Sequence, residues 1–447
     1  MTEDAVLPPG DAACLNGRFV DAESAADTAC WAAETARLAA DTACWAAETA
    51  GGAAEAANVA TGSDARHGAA SGAARSDARH GAASGAAKLE TLGGIEYYDA
   101  NGGYLVPGFI DLHIHGAAGF LADNGADDLE AMCRLLPRYG VTGFLPAVAP
   151  AADDVVHLCG LSSARHGIGN PPGLPVGAQI LGFFLEGHYL KLHGAIRDIA
   201  RDYSAEKLEA LYSAASPHKL VFGVSPEIGE VLALLPAMAR DGYPAFITHT
   251  CASAGETAEA IALGARHATH FYDVFPYPGD REPGVRGCGA VEAVLADPSA
   301  TVDFILDGEH VEAAAVKMAL ACKGPGGVCL VTDANVNAGL PPGTYKGIGG
   351  DEIVVAYDGG PARMGPRSRS PGSLIGSGLT MDMAVRNAVL MLGVTLPQAV
   401  RMASLNPAAV LGLHNRKGRV AVGYDADFSI MDGDMNIQAC FVGGRLH

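Results

Sequence analysis

Pro107-Gly108-Phe109-Ile110-Asp111-Leu112-His113-Ile114-His115-Gly116 is the stretch whose reading decides the fold. It continues an apolar run of strand length, 104–112. The period-two geometry of a strand puts His113 and His115 on one face at its end. Two imidazoles so placed can point inward and bind one divalent metal. In a barrel of alternating strands and helices, the carboxyl ends of the strands are where active sites lie. Such a barrel requires further strands of the same kind, with further ligands at their ends.

Strand-length apolar runs recur at 180–185, 219–224, 245–248, 301–306 and 328–332. Amphipathic helical patterns lie between them at 129–139, 205–215, 227–241 and 256–263. This alternation predicts parallel βαβ units, hence a (β/α)8 TIM-like barrel spanning 89–375. The tail, 418–447, alternates with period two between Gly and Asp turns, and 13–22 has the same character. A small β-sandwich domain built from both chain ends, 1–22 and 376–447, accounts for both. Between them lies a duplicated, Ala/Gly-rich segment, 23–88. AADTACWAAETA occurs at 25–36 and again at 39–50, and SDARHGAASGAA at 63–74 and again at 76–87. Two copies at such short offsets match no common solenoid repeat, so the segment reads as a low-complexity insertion.

Composition excludes several function classes. The chain has 447 residues with 30 Lys plus Arg against 50 Asp plus Glu, a formal charge of −20. A nucleic-acid or anionic-membrane surface is not expected of such a chain. No apolar run approaches the ~20 residues a membrane-spanning helix needs. The acidic N-terminus does not resemble a signal peptide. The ten cysteines are scattered, with no C-x-x-C pair, as in a cytoplasmic protein with reduced thiols.

Further ligand-type residues end the later strands. Glu186 follows Leu181-Gly182-Phe183-Phe184-Leu185, His249 follows Ala245-Phe246-Ile247-Thr248, His270 follows Ala268-Thr269, and Asp333 follows Val328-Cys329-Leu330-Val331-Thr332. A carboxylate after a buried strand is costly unless it is paired or metal-bound. Each alone has a bland explanation, a satisfied core His or a helix N-cap for Asp333. A mono- or binuclear hydrolytic metal centre explains all six together.

With these residues in hand, the chain resembles the amidohydrolase superfamily of metal-dependent barrels, whose opening motif is P-G-F-I-D-x-H-x-H. Leu185-Glu186-Gly187, Thr269-His270 followed by Tyr272, Arg281-Glu282-Pro283-Gly284, Asp307-Gly308-Glu309-His310, Val331-Thr332-Asp333-Ala334 and Gly376-Ser377-Gly378-Leu379-Thr380-Met381 are similar to the N-acetylglucosamine-6-phosphate deacetylase family within it. The resemblance covers everything but the insertion. It implies Glu186, His249 and His270 as the main metal ligands, with His113 and His115 as an additional pair for a second ion. It implies Asp333 as the general base, and zinc as the metal. Arg281 matches a phosphate-binding Arg that reaches into the neighbouring subunit's site, which implies a homodimer. His310 matches a sugar-contacting His. Ala195, Asp273, Val274, Leu374, Ile375 and Gly376 match other substrate-contacting positions.

The implied reaction is hydrolysis of the N-acetyl group of N-acetylglucosamine 6-phosphate to acetate and glucosamine 6-phosphate. Asp333 takes a proton from the attacking water and returns it to the departing amine. This chain departs from the family pattern in reading Glu186-Gly187-His188 for E-G-P, in placing Ile196 where a sugar-contacting His is usual, and in placing Asp273 where Asn is usual. A carboxylate beside a phosphate repels it. Asp273 and Ile196 therefore favour an alternative, an amidohydrolase acting on another acylated amine or cyclic amide without phosphate, whereas Arg281 and His310 favour the sugar phosphate. A non-catalytic scaffold carrying an interaction insertion is the third reading, and the full ligand set argues against it.

Overall fold

The computed structural model describes residues 98–100, 102–149, 154–162, 177–194 and 202–447, with strand backbone also at 14–15, 18–19, 89–92 and 95–97. The repeat insertion, 23–88, and the positions Ala195 and Ile196 lie outside the described residues.

Eight parallel strands form the barrel: β1 (Phe109–Ile114), β2 (Val141–Val148), β3 in two pieces (Gln179–Ile180 and Phe183–Tyr189), β4 (Leu220–Val224), β5 (Phe246–Ile247), β6 (His267–Ala268), β7 (Thr301–Ile305) and β8 (Val328–Val331). Each pairs with the next in chain order. The ring closes where Ile114 bridges Ala334 and the backbone N–H of Asp333 donates to the carbonyl of His113 at 2.8 Å. Strands covered on both faces need apolar residues throughout. β2 accordingly has all eight of its residues buried.

Among the described residues eight helices follow the strands: α1 (Ala126–Leu135), α2 (Asp154–Leu161), α3 (Ala205–Ala215), α4 (Gly229–Ala239), α5 (Ala254–Ala262), α6 (Ala290–Ala296), α7 (Ala313–Lys323) and α8 (Met381–Asn387). In α1 the buried Leu129, Met132 and Cys133 recur at helical spacing, and Asp127 and Asp128 lie in the first turn, where the helix dipole favours them. α5 starts at a capping box, with Ser253 Oγ accepting from the Glu256 N–H and Glu256 accepting from the Ser253 N–H. Ser253→Ala is expected to cost about 1 kcal/mol, read as a lowered urea midpoint with unchanged slope. A midpoint equal to wild type would show that water replaces the cap without loss.

The expected strand at 104–112 is two strands. Tyr104–Pro107 belongs to a four-stranded antiparallel sheet with Phe428–Met431, Ile437–Val442 and Arg445–Leu446. β1 resumes at Phe109. The break falls at Gly108, whose N–H donates to the carbonyl of Asp427, and where a Cβ would lie 2.3 Å from the Thr142 side chain. The small sheet packs through Leu105, Phe428, Ile430 and Phe441, with the Phe428 and Phe441 rings stacked at 4.5 Å and Tyr98 edge-on to Phe441. The tail thus enters this separate sheet domain, as expected, paired with Tyr104–Pro107, and the chain joins the barrel only after residue 107.

Two further differences concern the boundary drawn at Gly376. α8, α9 (Leu396–Ala403) and α10 (Leu405–Val410) fall after it, yet they pack on the barrel strands, α9 and α10 against both β1 and β8. Their buried positions, Ala399, Val400, Met402 and Ala403 in α9, follow a helical period rather than a period of two. The small sheet's share of the tail begins near residue 420. Between β8 and α8 the chain also forms an unforeseen three-stranded antiparallel sheet, Gly343–Lys346, Glu352–Val355 and Arg363–Met364, around Ile353, Ala362, Met364 and Ile375. No helix among the described residues is long and apolar enough to cross a membrane.

Candidate metal-dependent active site

The carboxyl ends of five barrel strands deliver six side chains to one buried cluster. His113 and His115 come from the end of β1, Glu186 from β3, His249 and His270 from just past β5 and β6, and Asp333 from just past β8. His249, His270 and Asp333 all have left-handed backbone, at φ of 49°, 36° and 45°. That conformation costs a non-glycine residue ~1 kcal/mol or more and persists where the surroundings enforce it. Here it turns each side chain off the strand and over the barrel mouth.

Glu186 is the hub. Its Oε1 lies 3.1 Å from Nε2 of both His249 and His270. Its Oε2 lies 3.0 Å from His115 Nε2 and 3.4 Å from His113 Nε2. Asp333 Oδ1 is 3.4 Å from the same nitrogens of His113 and His115. Two groups that could hold a metal ion result, His113–His115–Glu186 and Glu186–His249–His270, sharing the one carboxylate. All are buried.

The donor set fits a divalent cation. His249 Nδ1 faces the carbonyl of Leu192 at 2.8 Å and so carries the proton, which leaves Nε2 a lone pair aimed at the cluster. Four imidazoles and two carboxylates packed this closely require positive charge among them. Without an ion, protons take that role. Burial alone would lower the pKa of His115, but hydrogen bonds to Asp333 and Glu186 outweigh it and raise it to about 10. His270 is raised to about 10 in the same way, burial being overcome by Glu186. Burial would raise Glu186, yet the His113 charge and the histidine hydrogen bonds hold it well below the usual carboxylate range. Asp333 is likewise held low by His113 and His115 against the effect of burial. An ion held by Glu186 and the imidazoles would take the place of the histidine protons and draw on the same attractions.

The other positions are dispersed around the mouth. His310 Nδ1 pairs with Asp307 Oδ2 at 2.7 Å, both side chains being buried. Burial, the largest single effect, lowers the His310 pKa, but the Asp307 hydrogen bond and charge, with the charges of Asp333 and Asp273, together raise it. Val274, at φ 55°, helps to line a cavity of about 580 Å³ with Lys191, Leu192, His193, Gly194, Tyr272, Phe275 and Pro276. Asp273 is half-buried in the same loop. Leu374 is half-buried and Gly376 lies against the backbone of Asp333, but the Ile375 side chain packs into the three-stranded sheet. Arg281 stands apart, exposed on a hairpin, Asp280–Glu282 with Val285–Arg286. Supporting residues that the sequence reading passed over are Thr248, whose Oγ1 is 3.1 Å from His270 Nε2, and Asp111, Thr269 and Asp303 beneath the cluster. A charged residue inside an apolar strand, as Asp303 is in β7, was the available signal.

Residues 104–446 match the amidohydrolase family model. The chain belongs to that family, enzymes that hydrolyse amide bonds with the help of a metal. Within it the chain groups with the N-acetylglucosamine-6-phosphate deacetylases. It is 32% identical over 347 residues to the N-acetylgalactosamine-6-phosphate deacetylase of Escherichia coli O157:H7, covering 76% of this chain and 87% of that protein. It is 32% identical over 360 residues to the N-acetylglucosamine-6-phosphate deacetylase of Lysinibacillus sphaericus, covering 79% and 88%. The crystal structure of N-acetylglucosamine-6-phosphate deacetylase from Pasteurella multocida superposes with a TM-score of 0.68 at 25% identity, covering 80% of this chain and 90% of that one. That of a Mycobacterium smegmatis mutant in complex with N-acetyl-D-glucosamine-6-phosphate gives 0.66 at 29%, covering 76% and 86%.

Proposed function

We propose that this protein hydrolyses the acetamide of N-acetylglucosamine 6-phosphate to acetate and glucosamine 6-phosphate. The observation that carries the reading is the convergence of Glu186, four imidazoles and Asp333 in one buried cluster at the barrel mouth. Zinc suits a site of imidazole and carboxylate donors; Glu186, His249 and His270 hold one ion, with His113 and His115 available for a second. When bound, the ion lowers the pKa of a coordinated water towards ~7 and polarises the amide carbonyl. Asp333 accepts the water's proton and returns it to the amine nitrogen, a poor leaving group without it. His310, oriented by Asp307, contacts the sugar, and the loop of Asp273 and Val274 with 374–376 borders the substrate. The seven cysteines among the described residues are all free, which supports a reducing, cytoplasmic setting.

Acetate release from N-acetylglucosamine 6-phosphate by the zinc-loaded protein tests the assignment, with the galactosamine epimer and the dephosphorylated sugar as parallel substrates. Acetate from the dephosphorylated sugar alone would establish the second reading, an amidohydrolase without a phosphate requirement, which the half-buried carboxylate of Asp273 favours.

The exposure of Arg281 on its hairpin supports a homodimer in which that guanidinium completes the partner's site. Mixing two inactive variants, Asp333→Asn and Arg281→Ala, under subunit exchange is expected to restore up to about a quarter of wild-type activity. With random pairing, half the dimers are hybrids, and each hybrid holds one intact site. No recovery, with exchange shown by native mass spectrometry, would count against a shared site.

A further inference from the structure

Beneath the cluster, on the side away from solvent, lies a second set of polar groups that the reaction does not use. Asp303, in the middle of β7, is fully buried. Its Oδ1 accepts two hydrogen bonds, from the backbone N–H of His270 at 2.5 Å and from Thr269 Oγ1 at 3.2 Å. Its Oδ2 is 2.8 Å from Nε2 of His267, which is also buried. His267 is in turn held by Thr301 Oγ1 at 2.7 Å from Nδ1 and packs edge-on against Phe246 at 4.5 Å. A carboxylate in this apolar interior is tolerated only when its lone pairs are taken up.

The contacts of Asp303 reach two metal-ligating imidazoles by different routes. His270 is reached through its backbone. The N–H that Asp303 holds belongs to the residue at φ 36°, so the bond fixes the unfavourable turn that points the ring at Glu186. His113 is reached through Thr269. A hydroxyl has one proton, and that of Thr269 goes to Asp303, which leaves the oxygen as an acceptor. His113 Nδ1 lies 3.3 Å from that oxygen. It therefore carries its proton on Nδ1, and Nε2 faces the cluster with its lone pair. Outer partners of this kind set the tautomer and aim of a ligating imidazole, and their loss typically costs ~10–100-fold in metal affinity.

We propose that Asp303, with Thr269 as its arm and His267 as its clamp, is the positioning residue that aims His113 and His270 at the metal. The proposal rests on the metal-site reading above. It is tested with Co²⁺, whose visible absorption reports the geometry of its ligands, by equilibrium dialysis and spectroscopy alongside thermal melting. Thr269→Val keeps shape and removes only the hydroxyl. It is expected to weaken Co²⁺ binding at the His113–His115 group ~10–100-fold and to alter the visible spectrum, with the melting temperature of the metal-free protein little changed. Thr269→Ser, which restores the hydroxyl, is expected to restore both. Asp303→Ala is expected to weaken binding at both ligand groups. Should it fail to fold, Thr269→Val with its Ser rescue still decides the matter. Wild-type affinity and spectrum in Thr269→Val would overturn the proposal and leave the metal site standing. Wild-type protein that binds no Co²⁺ would overturn the metal site and the proposal together.

Discussion

Asp333→Asn is expected to yield a folded protein that retains its metal and turns over ~10²–10⁴-fold more slowly than wild type. That loss corresponds to ~2.7–5.5 kcal/mol of transition-state stabilisation. The variant is chosen for what it preserves. Asp333 sits at φ 45°, a conformation that Asn tolerates about as well as Asp, so the backbone turn past β8 is kept. Asn also keeps the shape and one acceptor oxygen near His113 and His115, but it cannot take a proton from water. Glu186, His249 and His270 do not depend on Asp333, so metal content is expected to stay at the wild-type level. The bland alternative from sequence, a helix N-cap, is removed by the fold: the next α-helix begins only at Met381. A metal-replete, folded Asp333→Asn protein within about tenfold of wild-type activity would mean that another group moves the proton.

Much of this site was readable because strand ends are local events. Period two gave His113 and His115 a common face, and apolar runs ending at Glu186, His249 and Asp333 marked the barrel mouth before any fold was known. The fold's irregular parts carried weaker signals. Residues 104–112 read as one strand because apolar character continues across Gly108. Only the contact with Thr142 and the bond to Asp427, 34 and 319 positions further along the chain, show why the chain must turn there. The helices after Gly376 were assigned to the β-domain because an alternating tail follows them. Their own apolar spacing was helical, and it faces β1 at the far end of the described barrel sequence. Asp303 is a charged residue inside an apolar strand, a signal that marks a buried carboxylate but not its partners; those are His267 and Thr269 from the neighbouring strand. Tertiary partners, not local propensity, decide such positions.

Glu186→Gln separates a ligand from an ion-pair partner, the two roles that its surroundings allow. Each Glu186 oxygen faces two imidazole nitrogens, Oε1 those of His249 and His270 and Oε2 those of His113 and His115. Glutamine keeps the shape but replaces one oxygen by an NH2 that donates hydrogen bonds, so it can satisfy imidazole lone pairs and cannot bind a cation through that atom. If Glu186 is the shared ligand, both ligand groups lose their only common carboxylate. Loss of an outer partner already costs ~10–100-fold, so loss of this ligand is expected to cost at least ~10²-fold in metal affinity, with activity falling at least as far. Dialysed Glu186→Gln protein is then expected to hold almost no metal. In the metal-free protein Glu186 also neutralises buried imidazolium, so its removal strands that charge and costs ~3–5 kcal/mol whichever role it has with the ion. The metal content of the dialysed variant is therefore what tells the roles apart. Wild-type metal stoichiometry in the dialysed variant would remove Glu186 from the ligand set and leave the imidazoles to hold any ion without it.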